Sequence, residues 1–322
     1  MTCTLLIRCY RGAAVWAFLL WTLALPLVAQ TTNPNQIALL RWYGANTTTS
    51  FSVGSFPYRM AFDGADIWVT NYASSGTVTK LRANDGAVLG TFDVGSYPDA
   101  AAYDGANIWV ANSLSNTVSK LRAIDGVTLG TFPVGTYPDS LAFDGANMWV
   151  ANANSSNVTK LRVSDGANLG TFTMGGSGGP LAIAFDGTNL WTANGYAGTV
   201  SKLRPSDGAV LAVYYAQAYP AALCFDGTSL WIANETAATV TKMRPSDGYI
   251  LASYAVGSYP LGVAYDGANV WVANWNASTV TKLRASDGAT LGTFPTPYPL
   301  GVAFDGANIW FANIYAGTVS KM

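Results

Sequence analysis

The amino-acid sequence predicts an all-β protein, a seven-bladed β-propeller built from four-stranded blades. Three observations support this prediction: a tryptophan that recurs every 39 to 42 residues, four strand patterns in each interval, and chain ends that complement each other. The recurring tryptophans are Trp68, Trp109, Trp149, Trp191, Trp231, Trp271 and Trp310. Repeats of about 40 residues with four strands each are typical of propeller blades.

Residues 98–135, PDAAAYDGANIWVANSLSNTVSKLRAIDGVTLGTFPVG, show the pattern of one unit. A short apolar run leads through an Asp-Gly turn to the second pattern, IWVAN, and a polar loop leads to the third, TVSKLR. Another Asp-Gly turn precedes the fourth, VTLGTF. Val, Ile, Thr, Phe and Trp favour strands, and Asp-Gly favours tight turns, so the unit predicts four short strands.

The two ends of the chain together predict a closed ring. The seventh unit ends at TVSKM, residues 318–322, before its fourth strand. The segment LLRWYGANTTTSFSVGSFP, residues 39–57, aligns without gaps on KLRANDGAVLGTFDVGSYP, residues 80–98. We therefore expect residues near 47–53 to pair beside 318–322, which removes the exposed sheet edges of an open array.

Residues 1–29 form a predicted secretory signal peptide, and residues 30–322 form a single propeller domain. Arg8 and Arg11 precede an apolar run that extends from Ala13 to Ala29, and a polar segment follows. We expect a secreted, periplasmic or cell-surface protein without stable membrane insertion after cleavage. The alternative is an uncleaved anchor, because about 17 apolar residues approach the length of a membrane span.

Charge and cysteine content exclude several classes of protein. Loss of Arg8 and Arg11 with the signal reduces the 17 basic residues to 15, against 18 acidic residues. No basic surface for nucleic acid is indicated, so we expect no nucleic-acid partner. Cys224 is the one cysteine outside the leader and replaces a repeated alanine, which predicts a small buried apolar residue. We expect a monomer without a cofactor.

Most charged side chains belong to the repeat, and we interpret them as structural. All seven lysines share one repeat position, seven arginines lie two residues further on, and thirteen aspartates belong to the two turns of each unit. The recurring tryptophan is interpreted as core packing between blades. The charges of residues 30–322 that fall outside the repeat are Arg59, Asp66, Asp93, Asp99, Asp139 and Glu235.

The variable positions of the repeat predict a ligand site on one face of the ring. In propellers, the loop entering the innermost strand and the loop between the second and third strands open on the same face. The predicted binding residues in these loops are Tyr58, Arg59, Tyr72, Asp99, Asp139, Tyr196, Glu235, Trp275 and Tyr315. Aromatic residues before the repeated proline add to this rim: Phe56, Tyr97, Tyr137, Tyr219, Tyr259 and Tyr298. Alternatively, these aromatic side chains only pack the loops together.

The tetrapeptides WVTN at 68–71 and WVAN at 109, 149 and 271 lie in a frame of Val-Gly, Pro and Asp-Gly. This frame resembles the YVTN repeat of YncE-like seven-bladed propellers over residues 39–322. The resemblance implies a secreted or periplasmic propeller, from a family that has no single established activity. The spacing DGxxxW also resembles the streptogramin B lyase repeat, which implies catalytic histidines and a Mg²⁺ site. The chain contains no histidine, and Asn112 stands where that family often has Glu, so the lyase chemistry is not carried over.

The predicted function is a non-catalytic binding or interaction scaffold, whose ligand is an unidentified glycan, peptide or protein. The alternative is an enzyme of the streptogramin lyase type or a metal-dependent hydrolase or lyase, which the absence of histidine disfavours. A metal would need neighbouring blades to bring Asp99 and Asp139 together. No catalytic residue, metal ligand or cofactor is assigned. A spacer or surface-coat role is the third hypothesis.

Overall fold

The computed structural model describes residues 49–174 and 178–322, which form seven four-stranded antiparallel sheets. The innermost strands of successive sheets contact one another, and the innermost strand of the last sheet contacts that of the first. This closed cycle around a central channel confirms the predicted seven-bladed β-propeller.

Each of the first six blades consists of four consecutive strands, from the channel outward. The first blade contains β2–β5, at Pro57–Phe62, Asp66–Asn71, Thr77–Arg82 and Val88–Asp93, and the second contains β6–β9, at Pro98–Tyr103, Asn107–Asn112, Thr117–Arg122 and Thr128–Pro133. The third contains β10–β13, at Pro138–Phe143, Asn147–Asn152, Asn157–Arg162 and Asn168–Thr173, and the fourth contains β14–β17, at Pro180–Phe185, Leu190–Asn194, Thr199–Leu203 and Val210–Tyr215. The fifth contains β18–β21, at Pro220–Phe225, Leu230–Asn234, Thr239–Met243 and Ile250–Ala255, and the sixth contains β22–β25, at Pro260–Tyr265, Asn269–Asn274, Thr279–Arg284 and Thr290–Pro295. The seventh blade combines both parts of the chain: β26–β28, Pro299–Phe304, Ile309–Asn313 and Thr318–Lys321, with β1, Thr49–Ser52, as its outer strand.

The ring is closed by strand β1, as the sequence predicts. Thr49 pairs with Lys321 and Ser52 with Thr318 in an antiparallel register. The Phe51 ring packs 5.6 Å from the Trp310 ring, centroid to centroid. The seventh blade therefore depends on a strand from the opposite end of the sequence.

The recurring tryptophan is buried and anchored by the first Asp-Gly turn of its own blade. In every blade its indole Nε1 donates a hydrogen bond of 2.6 to 2.8 Å to that aspartate. The pairs are Asp63–Trp68, Asp104–Trp109, Asp144–Trp149, Asp186–Trp191, Asp226–Trp231, Asp266–Trp271 and Asp305–Trp310. This bond satisfies the one polar atom of a large buried ring.

The repeated lysines link neighbouring blades. Each ammonium group lies 4.6 to 5.3 Å from the ring centroid of its own blade's tryptophan. Lys160 Nζ also donates to the Pro205 carbonyl of the next blade at 2.7 Å, and Lys321 Nζ to the Ala83 carbonyl of the first blade at 2.7 Å. These contacts support a structural role for the lysines, including one across the ring closure.

The other repeated charges lie at the surface. Six arginines pair with the aspartate three residues later in the second Asp-Gly turn, and all these pairs are about half exposed. Of the charges outside the repeat, Asp66 pairs with Lys80 at 3.0 Å, and Asp93 is exposed. Cys224 is half-buried, and burial raises the pKa of its thiol, as expected for a non-reactive cysteine.

The predicted signal peptide, residues 1–29, lies outside the described residues. In ranges 49–174 and 178–322, no helix has the length and apolar character needed to cross a membrane. Secretion therefore stays a prediction from the sequence.

Candidate functional site

Two sets of loops meet on one side of the ring, which we name the top face. In six blades, the backbone N–H after the second strand donates to the carbonyl of the aromatic residue before the repeated proline. The Glu235 backbone nitrogen, for example, lies 2.8 Å from the Tyr219 carbonyl oxygen. These aromatic residues all have positive φ, between 45° and 58°, a conformation that is uncommon outside glycine. This backbone geometry holds the two loops together in each of these six blades.

A β-bulge follows the repeated proline at the start of each innermost strand. The pairing register shifts between Pro98 and Ala100, and again between Pro138 and Ser140. Asp99 and Asp139 are therefore the extra residues of their bulges, and a bulge can redirect a side chain. Leu181, Ala221 and Leu261 occupy the same position in the next three blades. The variable residues of the repeat thus gather at the mouth of the channel.

A cavity of about 430 Å³ opens among these residues. Its apolar lining includes the bulge residues Leu181, Ala221 and Leu261 together with Leu300 of the seventh blade. Ala153 is a further apolar residue of the lining. The remaining lining residues are aromatic or polar: Tyr58, Tyr137, Tyr196, Tyr219, Arg59, Asp139, Asn154 and Glu235. A cavity that combines apolar and aromatic side chains with a few convergent polar groups is a common form of a small-ligand site.

One side of the cavity contains a cation shared between two acids. Arg59 of the first blade has Nε 3.5 Å from Asp99 Oδ1 and Nη2 3.3 Å from Asp139 Oδ1. The Arg59 side chain is 22% exposed, against 2% and 11% for Asp99 and Asp139. Burial, reinforced by the Asp139 carboxylate, raises the pKa of Asp99 well above its ordinary value, and Arg59 opposes this shift. Burial also raises the pKa of Asp139.

Tyrosines surround this charged group. The Tyr58 and Tyr72 rings stack with centroids 4.6 Å apart, and the hydroxyl groups of Tyr72 and Tyr137 lie 3.0 Å apart. Burial raises the pKa of Tyr58 and of Tyr137, and the Asp99 carboxylate reinforces both shifts. These phenols are therefore neutral hydrogen-bonding groups over the physiological pH range.

The opposite side of the cavity contains Glu235 and two further tyrosines. Tyr196 and Tyr219 meet edge to face, with ring centroids 5.4 Å apart and an interplanar angle of 86°. Burial raises the pKa of Glu235. Within residues 49–174 and 178–322, Glu235 forms no ion pair. Its carboxylate is the one acid of the cavity lining without a cationic partner in that part of the chain.

A second aromatic cluster contains Trp275 and Tyr315 and lies outside the cavity lining. Tyr298 packs against both, with centroid distances of 6.3 Å to Trp275 and 5.2 Å to Tyr315. Tyr259 contacts Trp275 at 5.9 Å, and Phe56 contacts Tyr315 at 6.4 Å. In this cluster the aromatic side chains pack the loops against one another, which is the alternative that the sequence left open.

The nine predicted binding residues therefore separate into three groups. Five line the cavity: Tyr58, Arg59, Asp139, Tyr196 and Glu235. Tyr72 and Asp99 do not line the cavity, but each contacts a residue that does: Tyr72 stacks on Tyr58, and Asp99 pairs with Arg59. Trp275 and Tyr315 belong to the second cluster. Tyr137 and Tyr219, which the sequence analysis placed only on the rim, also line the cavity, and Asn154 does so too.

The fold brings Asp99 and Asp139 together, as a metal site would require. The guanidinium of Arg59 lies against both carboxylates. Among the described residues, no group of three or more Asp, Glu, Cys or His side chains is placed to hold a metal ion.

Several solved structures are similar to this chain. A streptogramin B lyase matches 85% of this chain and 96% of its own, with a TM-score of 0.74 and 17% identity. Hydrazine synthase from Kuenenia stuttgartiensis matches 83% of this chain and 95% of its own, with a TM-score of 0.71 and 18% identity. A catalytically inactive virginiamycin B lyase from Staphylococcus aureus, with quinupristin, matches 85% of this chain and 98% of its own, with a TM-score of 0.74 and 16% identity.

No family model matches the chain, and no curated protein sequence matches it. Similarity at 16 to 18% identity demonstrates a shared fold and carries no activity with it. By its strand order and by these comparisons, the chain is a seven-bladed β-propeller that is similar in fold to the streptogramin B lyases.

Proposed function

We propose that this protein is a secreted, non-catalytic β-propeller that binds a small ligand, or one side chain of a larger partner, in the top-face cavity. One observation carries the proposal: the variable residues of the repeat converge on a cavity of about 430 Å³ that combines aromatic, apolar and a few charged groups. The repeated residues support the ring, and the residues that differ between blades supply recognition.

Catalysis is not part of this proposal. The acid pair Asp99 and Asp139 lies against Arg59, which leaves neither carboxylate free of a cation. The sequence contains no histidine to serve as a general base, and Cys224 has a raised thiol pKa. A binding role requires only a rigid cavity.

Two further parts of the proposal rest on the sequence. The basic and apolar pattern of residues 1–29 supports export. The WVTN and WVAN repeats support a relation to the YncE-like propellers.

A ligand screen with two matched variants tests the proposal. Tyr196 and Tyr315 occupy the same repeat position and are 66% and 58% exposed, but only Tyr196 lines the cavity. Thermal-shift screening against small polar molecules, glycans and peptides is expected to find a ligand that stabilises the wild type and the Tyr315→Ala variant. The same ligand should fail to stabilise Tyr196→Ala. Equal stabilisation of both variants would contradict binding in the cavity.

A further inference from the structure

We propose that the top-face cavity recognises a positively charged ammonium group, held between the Glu235 carboxylate and the surrounding tyrosine rings. This inference rests on the proposed function, since it names the chemical class of the ligand for the same cavity.

The charges of the cavity favour a cation. Among the described residues, Arg59 is the one basic side chain in the lining, and its guanidinium lies within 3.5 Å of both Asp99 and Asp139. Two carboxylates thus share one guanidinium, and Glu235 adds a third acid. In the cavity lining of the described residues, the Asp139 and Glu235 carboxylates face one guanidinium, and Asp139 already pairs with it, so Glu235 makes the cavity repel an anionic ligand and attract a cationic one.

Glu235 is the group that lacks a partner. Burial alone raises its pKa, and no cation of residues 49–174 or 178–322 opposes the shift. Partial burial of an unpaired carboxylate is unfavourable in the free protein. A bound ammonium group would supply the missing counter-charge and gain a charge-assisted contact.

The aromatic side chains fit the same ligand class. Tyr196 and Tyr219 stand nearly perpendicular, at 86°, beside Glu235, and Tyr137 and Tyr58 also line the cavity. Aromatic rings attract cations to their faces, most strongly where water is excluded. Several tyrosines around one carboxylate suit a methylated ammonium, which offers charge and apolar surface together. A neutral sugar would stack on the rings but leave the Glu235 charge unpaired.

Calorimetric titration with choline and its uncharged isostere, 3,3-dimethylbutan-1-ol, tests the proposal. The two probes share shape and hydroxyl group and differ in the positive charge. We expect the wild-type protein to bind choline at least tenfold more tightly than the isostere. Glu235→Gln and Tyr196→Ala should each weaken choline binding at least tenfold, whereas Tyr315→Ala and Asp93→Asn, both outside the cavity, should bind it as the wild type does.

A third probe distinguishes the two sources of an ammonium group. A short peptide containing trimethyllysine that binds at least tenfold more tightly than choline would identify a polypeptide side chain as the ligand. Equal affinities would identify a free small molecule, and either result supports ammonium recognition. Equal binding of choline and the isostere, or no binding of any ammonium probe, would overturn it. The proposed function would still stand if the screen found a neutral or anionic ligand whose effect is lost in Tyr196→Ala.

Discussion

Arg59 Nη2 of the first blade lies 3.3 Å from Asp139 Oδ1 of the third blade, across the intervening second blade. The second blade contributes Asp99, so three blades meet in one charged group at the mouth of the channel. Each of these residues interrupts the repeat, and the group therefore distinguishes one sector of an otherwise regular ring. Glu235 and its tyrosines form the opposite wall of the same cavity.

Replacement of Arg59 by methionine is expected to destabilise the protein by about 2–3 kcal/mol. Removal of one partner from a fully buried ion pair costs about 3–5 kcal/mol, and the 22% exposure of Arg59 reduces that figure. Urea denaturation at pH 7 measures the change. Arg82→Met removes an exposed pair with Asp85 and should have a much smaller effect. Equal losses in the two variants would show that Asp99 and Asp139 do not need the guanidinium.

Asp99 is expected to make the protein less stable as pH rises above about 4. Its folded-state pKa is raised, so the native state holds a proton that the unfolded chain releases near pH 3.9. The stabilisation is complete below that pH and is lost as pH rises through the raised pKa. The charged groups that face Asp99 are Arg59 and Asp139, and Tyr58 and Tyr137 stay neutral there.

Denaturation of the wild type and of Asp99→Asn between pH 4 and 8 measures this dependence. The stability of the wild type relative to the variant should fall across that range, because the amide does not titrate and leaves Asp139 alone with Arg59. Asp93→Asn, at an exposed position, should keep the wild-type profile. Parallel profiles for the wild type and Asp99→Asn would contradict the raised pKa.

Replacement of Lys160 by methionine is expected to lower the free energy of unfolding by about 2 kcal/mol. The change removes a charge-assisted hydrogen bond of 2.7 Å to the Pro205 carbonyl and a cation–π contact with Trp149 at 5.1 Å. Chemical denaturation gives the difference. Arg162→Met, two residues away on the surface, is the matched control, and a loss as large as that of Lys160→Met would remove the argument for a link between blades.

Removal of strand β1 is expected to lower the melting temperature by roughly 10 °C. The change exposes the edge of β28 and takes the Phe51 ring away from Trp310. A destabilisation of 1 kcal/mol corresponds to about 2–4 °C in a domain of 150–250 residues. Calorimetry of chains beginning at residues 47 and 55 makes the comparison. Identical melting temperatures would mean that β1 does not stabilise the ring.

The fold was predictable because the residue pattern of each repeat indicates its four strands and its turns. The tryptophan spacing predicted seven blades, and the alignment of residues 39–57 on 80–98 predicted the closure by Thr49–Ser52. The contacts of the lysines with the next blade could not be predicted from the repeat. Lys160 reaches the Pro205 carbonyl only when two blades are packed at a definite angle.

The candidate site was predictable in part. Subtraction of the repeat isolated Arg59, Asp99, Asp139 and Glu235. The pairing of Arg59 with the two aspartates, however, depends on the distances between the first, second and third blades. Tyr219 shares its repeat position with Tyr298, so the sequence alone does not separate the cavity from the second cluster. Only the three-dimensional position of the Leu181, Ala221 and Leu261 bulges shows which aromatic side chains surround a cavity.

A crystal structure of the protein with choline tests ligand binding in the top-face cavity most directly. We predict that the ammonium nitrogen lies beside the Glu235 carboxylate and within about 6 Å of the Tyr196 and Tyr219 ring centroids. Choline bound at the Trp275 and Tyr315 cluster instead, with the cavity vacant at saturating concentration, would contradict the claim.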